Sequence, residues 1–377
     1  MRAIGVVAEF NPFHNGHAYL LRQARTQADA VVAVMSGHLV QRGEPALFDK
    51  WTRTRAALQN GADLVLELPA VWSCASAEGF ARAGIGLLRA AGCEGFAFGC
   101  ESNDLSWLRE AARRLGLPET DERIRAGVRA GLPYAAAREQ ALGMPLRQPN
   151  DILAVEYLRA AGDALEPHPI LRTGAAHDGE PDGRIASASW LRSRILAGED
   201  VSSYLPDAAL YQNAPLCDPA RLDRAVLYRL RGLSPADWQN VPDAGDGLAE
   251  RLYRAADGAQ TVAALCGTAK TRRHALARIR RAALCAAVGI TRADRARPLP
   301  YIRALGMNAR GERFLRQADR TLPFGFSLAR LRAVSPDAAR YAVLECRASD
   351  LFAAGCAEFL RRGLDFTAKP IIMKEEC

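Results

Sequence analysis

No two cysteines stand at CxxC spacing. All nine occur singly, at Cys74, Cys93, Cys100, Cys217, Cys266, Cys285, Cys346, Cys356 and Cys377, which argues against a zinc ribbon or a redox dithiol and for a reducing compartment. No apolar run approaches the roughly 20 residues that span a bilayer. The opening MRAIGVVAEFNPFHNGH has a short apolar stretch broken by Glu9, Asn11 and Pro12, so neither a leader peptide nor an anchor is expected and the protein is placed in the cytoplasm, away from membranes. There is no repeat of fixed period and no low-complexity tail. Lysine is the scarcest charge, present only at Lys50, Lys270, Lys369 and Lys374 although Lys and Arg together number 50.

What remains is a globular chain of 377 residues, 49% hydrophobic, long enough to bury a large core and to form two or three domains. Its net charge of +8 is unevenly spread. Positions 221–332 hold 22 Lys and Arg against 9 Asp and Glu, whereas the rest holds 28 against 33. The densest run is Lys270, Arg272, Arg273, Arg278, Arg280 and Arg281. Concentrated positive charge favours a polyanion, so this region is the candidate RNA-binding surface; solvated helix faces are the plainer account.

Short β-rich runs at 3–8, 30–35, 63–66, 95–99 and 165–171 alternate with amphipathic stretches at 16–28, 50–61, 76–91 and 105–115. Strands followed by helices predict an α/β domain with a parallel, doubly wound sheet. Ligands of such sheets bind at the carboxyl ends of the strands. Positions 118–142 read as a helical insertion. Beyond about Ser203 no convincing strand is seen, and Pro-punctuated helices predict a mostly α-helical second part. The expected division is 1–202, a nucleotide-binding catalytic domain, and 203–377, a basic helical domain.

The segment Glu9-Phe10-Asn11-Pro12-Phe13-His14-Asn15-Gly16-His17 places two imidazoles a turn apart where a first strand gives way to a helix. A helix N-terminus offers free N–H groups and a positive dipole to an anion. Gly16 lets a nucleotide approach the backbone, and His14 and His17 can donate to phosphate oxygens as a pyrophosphate leaves. A metal pair or a buried histidine is the other reading of this spacing. Ser187-Ala188-Ser189-Trp190-Leu191-Arg192 follows the last predicted strand and opens a helix; Ser187, Ser189 and Arg192 there suit phosphates, and Ser187 equally suits an N-cap. Lys50, alone among the first 269 residues, suits a contact to phosphates or, under the resemblance described next, to the acyl acceptor, or is a surviving surface lysine.

HxGH after a first strand resembles the signature of the HxGH nucleotidyltransferase superfamily. More narrowly, GVVAEFNPFHNGH, VMSGHLVQRGEPALFDKWTR, GADLVLELP, FAFGCES, QPNDILAVEYL and RTGAAHDG resemble, in order, the blocks of the bacterial tRNA(Met) cytidine acetate ligase family, with a looser match through YIRALGMNARGERFL. That resemblance implies a Rossmann-type fold and a two-step reaction. Acetate and ATP, accompanied by Mg²⁺, give acetyl-adenylate, and the wobble cytidine of elongator tRNA(Met) takes the acetyl group as N4-acetylcytidine. It implies an ATP site along Val7, Ala8, Glu9, Phe10, Asn11, Pro12, Phe13, His14, Asn15, Gly16, His17, Ala18, Tyr19 and Leu20, completed by Gly99, Asn150 and Arg172. A tight turn, a helix cap and a surface ion pair are the plainer readings of those last three. No dedicated metal site and no stable protein partner are expected. Ala176 stands before His177 and Asp178 where the family pattern has an aromatic, and Trp190 and Met307 are milder departures. A cofactor-pathway adenylyltransferase and a non-catalytic RNA-binding protein are the competing classes.

Overall fold

The computed structural model describes residues 1–172, 181–358 and 360–374. Its strands are β1 (Ala3–Ala8), β2 (Ala30–Ser36), β3 (Leu39–Val40), β4 (Glu44–Pro45), β5 (Leu64–Leu68), β6 (Gly95–Cys100), β7 (Glu166–Leu171), β8 (Ile302–Met307), β9 (Phe324–Gly325) and β10 (Ile371–Ile372). The main sheet runs β10-β8-β5-β2-β1-β6-β7, with β9 beside β8; β3 and β4 form a separate hairpin. From β5 to β7 every neighbour is parallel. This is the expected α/β fold with a largely helical C-terminal region.

β2 is buried along its whole length and reads AVVAVMS, the continuous β-branched pattern of a strand covered on both faces. β1 packs against the helix Ala77–Ala90 so closely that a Cβ at Gly5 would meet Leu88 and one at Gly84 would meet Val7. β7 carries Pro167 and Pro169 yet remains a strand because it lies at the sheet edge, where a missing N–H breaks no ladder bond. The stretch at 118–142 is the expected insertion between β6 and β7, but as two helices, Pro118–Arg129 and Tyr134–Leu142. The chain turns between them at Gly131, φ +99.

The expectation that no strand follows Ser203 is corrected. β8 pairs antiparallel with β5, and β10 pairs with β8. Arg303 and Gly306 disguise β8 in the sequence. Arg303 is buried because Glu67 and Asp365 accept its charge, and Gly306 is required because a Cβ would lie 2.6 Å from the Ile371 carbonyl oxygen. Among the described residues, no helix is long and apolar enough to cross a membrane.

The strand order reverses at β1: the chain passes outward through β2 to β5, then returns to place β6 on the other side of β1. The crevice at such a switch point, beyond the carboxyl ends of the strands, is where open α/β sheets hold ligands.

Candidate nucleotide-binding site

A cleft of about 400 Å³ occupies that crevice, within the range of small-molecule sites. Val7, Ala8 and Glu9 enter it from the end of β1, Phe98 and Gly99 from β6, and Ile170, Leu171 and Arg172 from the end of β7. Two helices open onto it, α1 (Asn15–Arg25) through His14, Gly16 and His17, and Ala188–Leu196 through Ser187, Ala188 and Ser189. Two helix N-termini thus converge on one space, as a multiply charged anion requires.

The paired histidines form a reciprocal cap. Gly16 N–H donates to His14 Nδ1 at 3.1 Å, and His14 N–H donates to His17 Nδ1 at 3.3 Å. The two rings stack with centroids 3.8 Å apart. Because His14 Nδ1 accepts, its neutral ring carries the proton on Nε2. Burial, with the positive charges of Arg172 and Arg192, lowers the His14 pKa to about 3. Burial and the neighbouring His14 likewise hold His17 well below its ordinary value. Both rings are therefore neutral donors at pH 7. A His whose folded pKa is depressed contributes stability that is complete above its unfolded value of about 6.5 and is lost as pH falls toward the folded value. His14→Asn, which keeps an N-cap acceptor, is expected to lose less stability than the unaltered protein between pH 7 and pH 4.5 in paired urea unfolding curves.

Gly16 has a double use. A Cβ there would come within 2.9 Å of the His14 ring, so the glycine admits the cap as well as any ligand. Gly99 is similar, since a Cβ would lie 3.2 Å from Arg172 Cγ. The glycine thus accommodates the stem of Arg172, which crosses the end of β6. Gly99→Val is expected to displace that guanidinium and raise KM for ATP about tenfold, the equivalent of one charged hydrogen bond, with little change in melting temperature.

Several residues from 7 to 20 do not line the cleft but build it. Phe10 and Phe13 are buried and pack edge to face. Phe10 has φ 49 and precedes the cis Asn11–Pro12 bond. Asn11 Oδ1 accepts the Leu47 N–H, and its carbonyl accepts from Arg192. The Asn15 side chain donates to the carbonyls of Arg184 and Ser203, bracing α1 from the far side, and Ala18 lies in the core. Phe10, Asn11, Pro12, Phe13, Asn15 and Ala18 are not among the residues that line the cleft, and through these contacts Phe10, Asn11, Phe13 and Asn15 brace its walls. Tyr19 and Leu20 do line the cleft.

Asn150 lines the cleft, and its amide donates to Glu101, which also accepts the Asp151 N–H at 2.9 Å. Ser187 lines the cleft and caps its helix, accepting the Trp190 N–H at 3.2 Å. Ser189 and Arg192 face the cleft. The Ala176, His177 and Asp178 segment lies outside the described residues. Trp190 packs against Tyr204, and Met307 closes β8.

Lys50 is not brought to this cleft. Its ammonium has no exposed surface and binds Glu67, Asp365 at 2.7 Å and Glu345 at 3.4 Å. The expected contact to phosphates or acceptor is corrected to a buried ionic junction. There, burial disfavours the charge, but the three carboxylates outweigh it and hold Lys50 above its ordinary pKa. The basic run also divides. Lys270, Arg272 and Arg273 are exposed. Arg278 is spent on the carbonyls of Asp243 and Gly245 and on Asp246, Arg280 pairs with Glu44, and Arg281 is buried against Asp243. These three arginines are tied to neighbouring segments and do not form one open surface with Lys270, Arg272 and Arg273.

Sequence reasoning missed Gln41, Arg42, Phe98 and Tyr157, all of which line the cleft. It also missed Arg53, a buried guanidinium donating to the carbonyls of Glu9, Ser36, Gly37 and Phe48. Arg53 fixes the ends of β1 and β2 together. The only signal for these residues was their place inside the quoted blocks.

Comparison with known proteins agrees with this geometry. A model of the family described as HIGH Nucleotidyl Transferase matches residues 1–362. The chain belongs to that family. Within it, the tRNA(Met) cytidine acetate ligase of Syntrophotalea carbinolica is 40% identical over 88% of this chain and 86% of its own. That of Caldicellulosiruptor saccharolyticus is 32% identical over 98% of both. The crystal structure of Thermotoga maritima TmcAL in its apo form I superposes with a TM-score of 0.92 at 28% identity, covering 99% of this chain and 100% of that one. The form bound with alpha-thio ATP gives 0.89 over the same shares. This member of the HIGH nucleotidyltransferases therefore sits among the tRNA(Met) cytidine acetate ligases.

Proposed function

We propose that the chain is an ATP-dependent ligase that activates acetate as acetyl-adenylate and transfers the acetyl group to the exocyclic amine of the wobble cytidine of elongator tRNA(Met), acting in the cytoplasm. The observation that carries this reading is the pair of capped imidazoles at one helix N-terminus, sharing a cleft with a second helix N-terminus and with Arg172 and Arg192. In the first step the carboxylate oxygen of acetate attacks the α-phosphorus, an O–P bond forms, and the bond to the bridging oxygen breaks as pyrophosphate leaves. His14 and His17 donate to the departing charge, which needs no covalent nucleophile on the protein. In the second step the amine attacks the acetyl carbon, a C–N bond forms, AMP leaves with the C–O electron pair, and the amine sheds a proton to solvent.

Mg²⁺ accompanies the triphosphate in this reading. Glu9 supplies a carboxylate to the cleft, where it accepts the Gln41 N–H at 2.8 Å, and oxygen of this kind suits a hard cation that keeps phosphate oxygens and water as its other ligands. When bound, the ion neutralises phosphate charge.

Labelled acetate, ATP and bacterial tRNA should place label in N4-acetylcytidine and release AMP. A product that retains AMP favours a cofactor adenylyltransferase, and the absence of ATP binding favours a non-catalytic RNA-binding protein. Replacing Lys270, Arg272 and Arg273 together by alanine is expected to weaken tRNA binding and to reduce the slope of log affinity against log salt by about 2, without slowing adenylate formation. Filter binding across a salt series checks this.

A further inference from the structure

A second cavity, of about 460 Å³, lies against the same partition as the nucleotide cleft. The helix Ala188–Leu196 begins in the cleft at Ser187 to Ser189, presents Arg192 to both spaces, and ends at Leu196 in the second. The β3–β4 hairpin divides them in the same way, with Gln41 and Arg42 on the nucleotide side and Gly43, Glu44 and Pro45 on the other. Most of the second cavity is apolar, through Leu47, Leu196, Val226, Val262 and Leu284. Its charged lining is Glu44 and Arg280, bound to each other, with Arg192 at the partition and Asp223 engaged by the Val262 N–H. The placement of the Glu44–Arg280 pair is fixed by the backbone. Gly43 has φ +76, and a Cβ there would lie 2.4 Å from the backbone nitrogen of Arg281, so the hairpin is seated directly on the helix Leu276–Val288 that carries Arg280.

We infer that this cavity receives the acceptor cytosine and that the Glu44–Arg280 pair reads its Watson–Crick edge, an assignment that rests on the transfer reaction proposed above. A base modified at an exocyclic atom must leave its stack and enter a pocket, where the polar edge and apolar faces are recognised separately. Cytosine presents one donor, the exocyclic amine, beside two acceptors, N3 and O2. An ionised carboxylate only accepts and a guanidinium only donates, so the pair matches that order, with Glu44 taking one amine hydrogen. Uracil presents a carbonyl where cytosine has its amine, and that oxygen would face Glu44 without a proton between them. The apolar walls cover the faces of the ring, and Arg192, the residue that lines both spaces, marks where the amine would meet the adenylate. Glu44 and Arg280 are thus positioning residues that select the base.

Two half-reactions are measured on the full-length chain: acetate-dependent exchange of pyrophosphate into ATP, and transfer of acetyl from labelled acetate to tRNA. Glu44→Gln is expected to leave exchange within twofold and to lower transfer at least tenfold. The double exchange Glu44→Arg with Arg280→Glu restores an ion pair and its melting temperature but reverses the polarity, and is expected to keep transfer low. Unchanged transfer by Glu44→Gln, or transfer recovered by the reversed pair, would overturn the assignment and leave the pair a structural bridge. Exchange lost together with transfer in Glu44→Gln would overturn it in favour of a role toward the nucleotide. Absence of exchange in the unaltered protein would refute the proposed activation step itself, and the base pocket with it.

Discussion

His14→Ala is expected to slow acetyl-adenylate formation by about 10²–10³-fold, the usual cost of removing one donor aimed at developing charge. The imidazole is suited to the task by its environment. Its Nδ1 is occupied by the Gly16 N–H, so the proton sits on Nε2, and burial beside two arginines keeps the ring neutral. A neutral donor holds its hydrogen through the step and binds a pyrophosphate leaving group without a competing carboxylate partner. The substitution also removes an N-cap, which costs about 1 kcal/mol, so stability must be followed alongside rate. His14→Asn separates the two effects. It restores a side-chain acceptor for the cap but not the reach of the imidazole, and should therefore recover melting temperature while pyrophosphate exchange stays low. Exchange by His14→Ala within threefold of the unaltered protein would contradict the phosphate role.

Lys50→Met is expected to destabilise the fold by about 3–5 kcal/mol, the range for removing one partner of a buried ion pair. The ammonium is the hub of a junction that joins β5 through Glu67, the helix Pro336–Ala354 through Glu345, and the segment around Asp365, with Arg303 of β8 as the second cation. Burial, and then the proximity of Glu67, pushes Glu345 up to about 8, so this acid holds its proton to higher pH in the junction than it would in solution. Removing Lys50 leaves Asp365 and Glu67 with Arg303 alone. A carboxyl whose folded pKa is raised contributes stability at low pH that is lost as pH rises from its unfolded value of about 4.5 through 8. Glu345→Gln removes that dependence, and its denaturant midpoint should change less between pH 6.5 and 9 than that of the unaltered chain. Guanidinium unfolding measures both effects, and a Lys50→Met midpoint equal to the unaltered one would show that the junction is energetically neutral.

The parallel sheet was legible in the sequence because its central strands are buried on both faces and so are written as unbroken apolar runs. The helix end that opens onto the cleft was legible because glycine and two histidines stand together at a strand-to-helix junction. Lys50 illustrates what was hidden. Its rarity correctly marked a special position, but the carboxylates that hold it lie up to 315 positions away, and no local pattern records them. β8 was hidden by the same junction, because Arg303 makes a buried strand look polar. In the basic run, sequence cannot separate an arginine that hydrogen-bonds a nearby carbonyl from one that points to solvent. Arg278 and Arg273 look alike until the loop at 243–246 is folded against one of them.

The seam between β5 and β8 sets an order on biosynthesis. A nascent chain ending near residue 202 carries the whole nucleotide cleft, yet it would show an open β5 edge and a lysine facing only one of its three acids. At typical elongation rates of about 5–20 residues per second, some seconds pass before β8 emerges to close that edge, and longer before Asp365 arrives. An N-terminal fragment cut at that point should accordingly aggregate rather than bind ATP, because the edge that β8 covers in the finished chain stays open.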